Sequence, residues 1–171
     1  TGFTPQEGLI QSTRAGDIDT AAILYLMKKE GLTIEQADDL INKKSGWKGL
    51  SGISNDMREI YEASEMGNER AKLTIDTVCH RFKKYVGAYS AIMDGIDILV
   101  FSGGVGQNAY YIREKVCKGL EFMGMELDEH KNKHMTGIIS KDSSRVKIMV
   151  VNADEEKIIA KDTYEICGNS L

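Results

Sequence analysis

Four short stretches carry residue types and spacings suited to phosphate chemistry. The first is "ILVFSGGVGQNA", residues 98 to 109, where an apolar run ends in three glycines within four positions. Phosphates bind well where a strand ends, glycines let the backbone come close, and the amides of a following helix point outward. Read as Gly104-Val105-Gly106-Gln107-Asn108-Ala109, the turn also fits the G-x-G-x-x-A form of a dinucleotide fingerprint. That reading wants an acidic residue roughly 20 positions on, and Asp128 stands near enough. A ligand-free strand-to-helix turn is the third reading, and spacing alone does not choose among them. A P-loop is excluded, because no G-K-[S/T] follows the glycines.

The second stretch is "GLSGISNDMREI", residues 49 to 60. Ser54 and Asn55 read as capping residues, with Asp56 and Arg58 in the first turn of a helix. Asp56 there either complements the helix dipole or faces a ligand. The third is "STRAGDID", residues 12 to 19. Arg14 sits in a loop among small residues, where a guanidinium fork can clamp a phosphoryl group or a carboxylate; a solvated surface arginine is the plainer alternative. The fourth is "VVNADEEKIIA", residues 150 to 160. Asp154, Glu155 and Glu156 open a helix after a buried strand. They complement its dipole, or one of them holds Mg²⁺ beside a nucleotide. His80, His130 and His134 have no convincing metal spacing, and Asp142 and Ser143 lack a suitably placed histidine for hydrolase chemistry.

The elements that position these stretches divide into a helical first half and an α/β second half. Residues 17 to 30 read as a helix capped by Asp17 or Asp19, with Ile18, Ala22, Tyr25 and Leu26 on one face. Thr33 starts the next helix, and Gln36 completes a capping box; the helix fades near Lys44. "SGWKGLSGIS" reads as a loop around one tryptophan. Residues 56 to 65 form a short helix, and 69 to 93 form the longest, with Ala71, Ile75, Val78, Cys79, Phe82, Val86, Tyr89 and Met93 at helical spacing. Ile96 to Phe101 has the pattern of a buried parallel strand. A helix from about Ala109 to Met123 follows, then a short strand at "MELD", a buried strand from Val146 to Val151, and a helix from about Glu155 to Ile166. Two or three strands make a thin sheet, so the missing strands are expected in sequence preceding Thr1.

Bulk composition narrows the function classes. The chain has 171 residues, 42% hydrophobic and 28% charged, and a net charge of −4. That suits one globular domain of ordinary size and gives no basic face for nucleic acid. No apolar run approaches the roughly 20 residues of a membrane span, and no signal peptide is evident. Cys79, Cys117 and Cys167 are odd in number and far apart, as expected of reduced thiols in the cytoplasm. The chain opens on "TGFTPQEG", loop-like and without an initiator Met, as a fragment would.

Together, "GFTPQEGLIQSTRAGDID", "SGISNDMREI", "KKYVGAYSAIMDGIDILVFSGGVGQNAYYIREKV" and "NADEEKIIAKDT" resemble the acetate/propionate kinase family, in its order and over nearly the whole chain. The resemblance implies an α/β fold, part of an actin-like, ribonuclease-H-like ATPase domain, and reversible phosphoryl transfer from ATP to acetate with Mg²⁺, giving acetyl phosphate and ADP. It implies a cytoplasmic homodimer. Arg14 matches the family arginine that contacts the transferring phosphoryl group. Asp56, Met57 and Arg58 match its D-[MF]-R nucleotide-binding triplet, and Gly104, Val105, Gly106, Gln107 and Asn108 match its G-I-G-E-N turn. Glu155 matches a magnesium-ligand glutamate. Two departures stand out: Gln107 replaces the usual Glu, and Asp154 adds an anion beside Glu155. Residues 1–171 resemble only the C-terminal part of the family. The N-terminal half, which carries further catalytic residues, is absent, so the chain alone is expected to be inactive. Acetate against propionate as acceptor stays open, as does a role as a non-catalytic dimerisation or nucleotide-binding module.

Overall fold

The computed structural model describes residues 2–168. The chain divides into two compact units, Thr1–Gly95 and Ile96–Leu171.

The first unit is helical: α1 (Thr20–Glu30), α2 (Ile34–Lys43), α3 (Gly46–Ser51), α4 (Met57–Glu65) and α5 (Glu69–Ile92). Local chemistry sets most of these ends. Asp19 caps α1 through the Ala21 amide, so the helix begins three residues later than the pattern predicts, and Asp17 serves elsewhere. Thr33 and Gln36 form the expected capping box on α2. Asp56 caps α4 and Asn68 caps α5. The core forms where α3 and α4 pack on α5, around Met57, Ile60, Ala71, Ile75, Val78 and Cys79. Each fully buried aliphatic side chain there stabilises the unit by about 1.5–3 kcal/mol relative to exposure. The α1 face predicted to be apolar is not buried: Tyr25 is 64% exposed, and no residue of α1 is buried.

The segment expected to be a loop around Trp47 is instead helix α3. The backbone amides of Trp47 and Lys48, free at a helix start, donate to the carbonyls of Gln11 and Ser12. A partner distant in sequence thus compensates a glycine-rich, poorly helical segment. Gly46 lies so close to this strand of backbone that an added Cβ would stand 2.2 Å from the Gln11 carbonyl oxygen.

The second unit contains β1 (Ile98–Phe101), α6 (Gly103–Asn108), α7 (Tyr110–Cys117), a 3₁₀ turn (Glu121–Met123), α8 (Glu129–His134), β2 (Gly137–Ile138), β3 (Lys147–Val150) and α9 (Glu155–Gly168). The sheet order is β1-β3-β2. β1 runs parallel to β3, with Leu99 opposite Ile148 and Phe101 opposite Val150; β2 is antiparallel to β3. Only one sheet face is closed. Phe101, Ile148 and Val150 are buried, whereas Ile98 and Val100 are each 51% exposed. Among the described residues β1 is therefore an edge strand with one open face; its parallel pairing is as the apolar run predicts, its burial on both sides is not.

Two further expectations change. The glycine turn is itself helical, as α6, and the predicted 109–123 helix ends at Cys117. "MELD" forms only isolated bridges, Met125 with Val146 and Leu127 with Ser140. Asp128 caps α8 through the Lys131 amide instead of ending a strand, so the dinucleotide reading loses its second support.

Candidate functional site

The Arg14 segment is anchored by its backbone. Thr13 accepts from the Ser45 amide at 3.0 Å, and the Ala15 amide donates to Ile41 at 2.9 Å. With the Gln11 and Ser12 bonds to α3, consecutive peptide groups are tied to the end of α2 and the start of α3. The half-buried Arg14 donates from Nη1 to Gln11 Oε1 at 3.0 Å. Among the described residues no carboxylate pairs with it, so its charge stays uncompensated and its remaining donors are available to an anion.

Trp47 links this segment to the second stretch. Its backbone amide donates to Gln11, and its indole Nε1 donates to the Asn55 carbonyl at 2.8 Å. Ser54 Oγ accepts from the Asp56 amide, and Asp56 Oδ1 in turn caps the Arg58 amide at 2.9 Å. The Arg58 side chain folds back onto the same carboxylate, with Nη2 2.6 Å from Oδ2. This guanidinium lowers the Asp56 carboxyl to about 2, helped by the Arg58 amide. Both side chains reach solvent, so a ligand can exchange for this contact at little cost. Met57 is only 4% exposed; its side chain belongs to the α4 core, unlike its two neighbours.

In the second unit the glycine turn is tied to the end of β3. Ser102 Oγ and Gln107 Nε2 both donate to the Val151 carbonyl, at 3.0 and 3.2 Å. The Gln107 bond gives the departure at this position a physical reason, because an ionised glutamate has no hydrogen to donate. Asn108 Nδ2 donates to Gly104 O at 3.0 Å and closes the turn. Gly106 passes so near β1 that an added Cβ would stand 3.2 Å from the Phe101 carbonyl carbon. Gly103, Gly104 and Gln107 line an open hollow of about 590 Å³ together with Asn152, Ala153, Asp154, Glu155 and Glu156. The structure thus brings Glu155 beside the glycine turn, while Val105, Gly106 and Asn108 support its walls from outside the lining. Asp154 is engaged as a cap, accepting from the Lys157 amide at 3.0 Å, which leaves the exposed Glu155 and Glu156 carboxylates freer to bind a cation.

Sequence reasoning missed Arg113. It is 3% exposed, on the same side of α7 as Val116 and Cys117. Its Nη1 donates to the Gly106 and Gln107 carbonyls at 2.8 and 2.7 Å, its Nε donates to Asn132 Oδ1 at 2.7 Å, and its Nη2 donates to the Asn132 carbonyl. The guanidinium stays charged although burial draws its pKa down. A cation among the carbonyls that end α6 suits the negative pole of that helix and fixes the turn from below. The available signal was a charge on an apolar helical stripe, since such a group, when buried, has hydrogen-bond partners.

The sequence profile of the Acetokinase family matches residues 1–161. The chain belongs to this family. It is 50% identical over 166 residues to an acetate kinase of Heliobacterium modesticaldum, covering 96% of this chain and 42% of that protein. Acetokinase structures show the same backbone. A crystal structure of Porphyromonas gingivalis acetate kinase superposes with a TM-score of 0.88 at 51% identity, over 96% of this chain and 42% of that one. A propionate kinase from Francisella tularensis gives a TM-score of 0.87 at 36% identity, over 94% and 41%. The fold is accordingly part of the actin-like ATPase architecture of these kinases. The chain spans about 42% of the length of the relatives it matches. Among the described residues no helix is long and apolar enough to cross a membrane.

Proposed function

We propose that this chain is the C-terminal portion of an acetate kinase, which transfers the γ-phosphoryl group of ATP reversibly to acetate and forms acetyl phosphate and ADP. The observation that carries the reading is the 50% identity to an acetate kinase across 96% of the chain. A propionate kinase is among the similar structures, so propionate is the alternative acceptor. In this reading Arg14 meets the transferring phosphoryl group, and its uncompensated charge offsets the charge spread over the equatorial oxygens. Asp56 and Arg58 part to receive the nucleotide, with Met57 fixing their helix from the core. Gly104 to Asn108 border the adenosine and its phosphates.

The donor set beside the glycine turn suits Mg²⁺: hard carboxylate oxygens, few in number, next to where phosphates would lie. Among the described residues no group of three or more His, Cys, Asp or Glu side chains is arranged to hold a metal alone. Glu155 would hold the ion, which would offset the negative charge of the substrate phosphates. Cys79 and Cys117 are buried and not in disulfides, which supports the reading of a reducing cytoplasm. Exposed Tyr89, Ile92 and Met93 at the end of α5 fit contact with a second copy.

One arginine and one metal ligand do not supply the several-sided stabilisation that phosphoryl transfer needs. The chain alone is therefore inactive, and the full-length protein carries the activity. An acetyl phosphate assay on both decides it. No turnover by the full-length protein would remove the kinase reading, and full turnover by the 171-residue chain would remove the fragment reading.

A further inference from the structure

Arg14 is held from a second side, by residues that neither the motifs nor the proposed chemistry explain. Asp17 uses both carboxylate oxygens in hydrogen bonds: Oδ1 accepts from the Gly8 amide at 2.9 Å, and Oδ2 accepts from Tyr85 Oη at 2.6 Å. Its backbone is engaged too. The Asp17 amide donates to Gly8 O at 2.9 Å, and its carbonyl accepts from Arg81 Nη2 at 3.1 Å. Tyr85 and Arg81 are one turn apart on α5, so the longest helix of the unit reaches the loop at two points on one residue. Between Asp17 and Arg14, Gly16 adopts φ +73° and packs so tightly that an added Cβ would stand 2.7 Å from Gly8 O. This loop therefore has little freedom to move with respect to α5.

We propose that Asp17, Tyr85 and Arg81 form a latch that positions Arg14 for phosphoryl transfer. The inference rests on the kinase reading of Arg14. The three are positioning residues, since both Asp17 carboxylate oxygens are engaged away from Arg14 and act on it through the backbone. A guanidinium aids transfer only when its donors are aimed beforehand at the developing charge. The α2 and α3 bonds hold the chain on the N-terminal side of Arg14 and at Ala15; the latch holds it at Asp17, three residues after Arg14. Together they leave the side chain as the movable part. The short Tyr85–Asp17 bond holds the phenol up at about 12 and the Asp17 carboxyl below the usual range, so both partners keep their donor and acceptor states around neutral pH.

Tyr85→Phe removes a single O–H donor and leaves the ring. In the full-length protein it lowers kcat about tenfold, a moderate case of the loss that misplacement of a catalytic group causes, while KM for ATP stays within about twofold, since the nucleotide residues lie on other segments. Asp17→Asn still exchanges a hydrogen bond with Tyr85 and keeps most of kcat, whereas Asp17→Ala loses at least as much as Tyr85→Phe. In the 171-residue chain, hydrogen exchange of Tyr85→Phe speeds up at the Gly8, Ala15 and Asp17 amides and stays unchanged in α4. An unchanged kcat, or exchange that accelerates equally throughout the first unit, overturns the latch. A full-length protein that makes no acyl phosphate before mutation overturns the kinase reading instead, and the amide exchange then still reports whether the loop is fastened to α5.

Discussion

Replacing Arg113 with methionine tests how the glycine turn is held. The change keeps the apolar stem and removes the guanidinium. Four acceptors lose their donor: the Gly106 and Gln107 carbonyls, and the carbonyl and side-chain oxygens of Asn132. The first two belong to half-exposed residues, where water can take over. Asn132 is 1% exposed, so its two oxygens stay dry. At about 1–3 kcal/mol for each buried unsatisfied acceptor, the gross loss is about 2–6 kcal/mol. Removing a buried charge returns part of its desolvation cost, which moves the net loss to about 2–3 kcal/mol. For a unit of this size that corresponds to a fall in melting temperature of roughly 10–20 °C. Arg113→Lys keeps the charge but cannot span both sets of acceptors, and it falls between the two. Calorimetry measures the shift, and hydrogen exchange shows whether residues 103 to 109 loosen first. A melting temperature unchanged to within about 2 °C would refute the claim that these bonds hold the turn.

Three further outcomes follow from the site. Arg14→Ala in the full-length protein lowers kcat by about 10³-fold with KM for ATP nearly unchanged, as expected of an arginine that meets phosphoryl charge; a small kcat effect rejects that role. Gln107→Glu at pH 7 loses the donor to Val151 and sets an anion beside Asp154 and Glu155, so the 103–108 amides exchange faster and Mg²⁺ is held more tightly in an ATP titration; unchanged exchange contradicts the tether. Asp56 titrates at about 2 in an NMR pH series, and in Arg58→Ala it moves toward the ordinary value of about 3.9. Because its folded pKa is depressed, its contribution to stability is present above about pH 4 and is lost as pH falls toward 2. A midpoint that Arg58→Ala leaves in place removes the ion pair as the cause.

What was legible in the sequence depended on how far away the decisive partner lay. Asp19, the Thr33–Gln36 box and the α5 stripe were readable because cap and helix are neighbours in the chain. Helix α3 was not, since its glycines and serines favour a loop and its start is satisfied by Gln11 and Ser12, more than 30 positions upstream. The β1 run has the composition of a buried strand, and nothing local reveals that only β3 flanks it among the described residues. The motif stretches gave the family and the residues of interest. Spacing did not show that Asp56 and Arg58 grip each other, that Asp154 is spent on a cap, or that Gln107 replaces a charge with a tether. Arg113 and the Asp17–Tyr85 contact escaped because their partners lie on other elements, reached only after folding.

The β1 edge has a practical consequence. Among the described residues no strand pairs with the outer side of β1, which lies next to a partly open face carrying Val100, Met149 and Ile138 in register; in the 171-residue chain, without the strands expected in sequence preceding Thr1, that side is open to a partner. Such an edge accepts an added strand from another molecule, and left bare it is where copies of a chain stick together. An extended peptide that alternates β-branched and polar residues would be a natural stopper for it. With a reporter divided between peptide and chain, the same edge becomes the joint of a split-protein sensor, in which signal appears only when the strand docks.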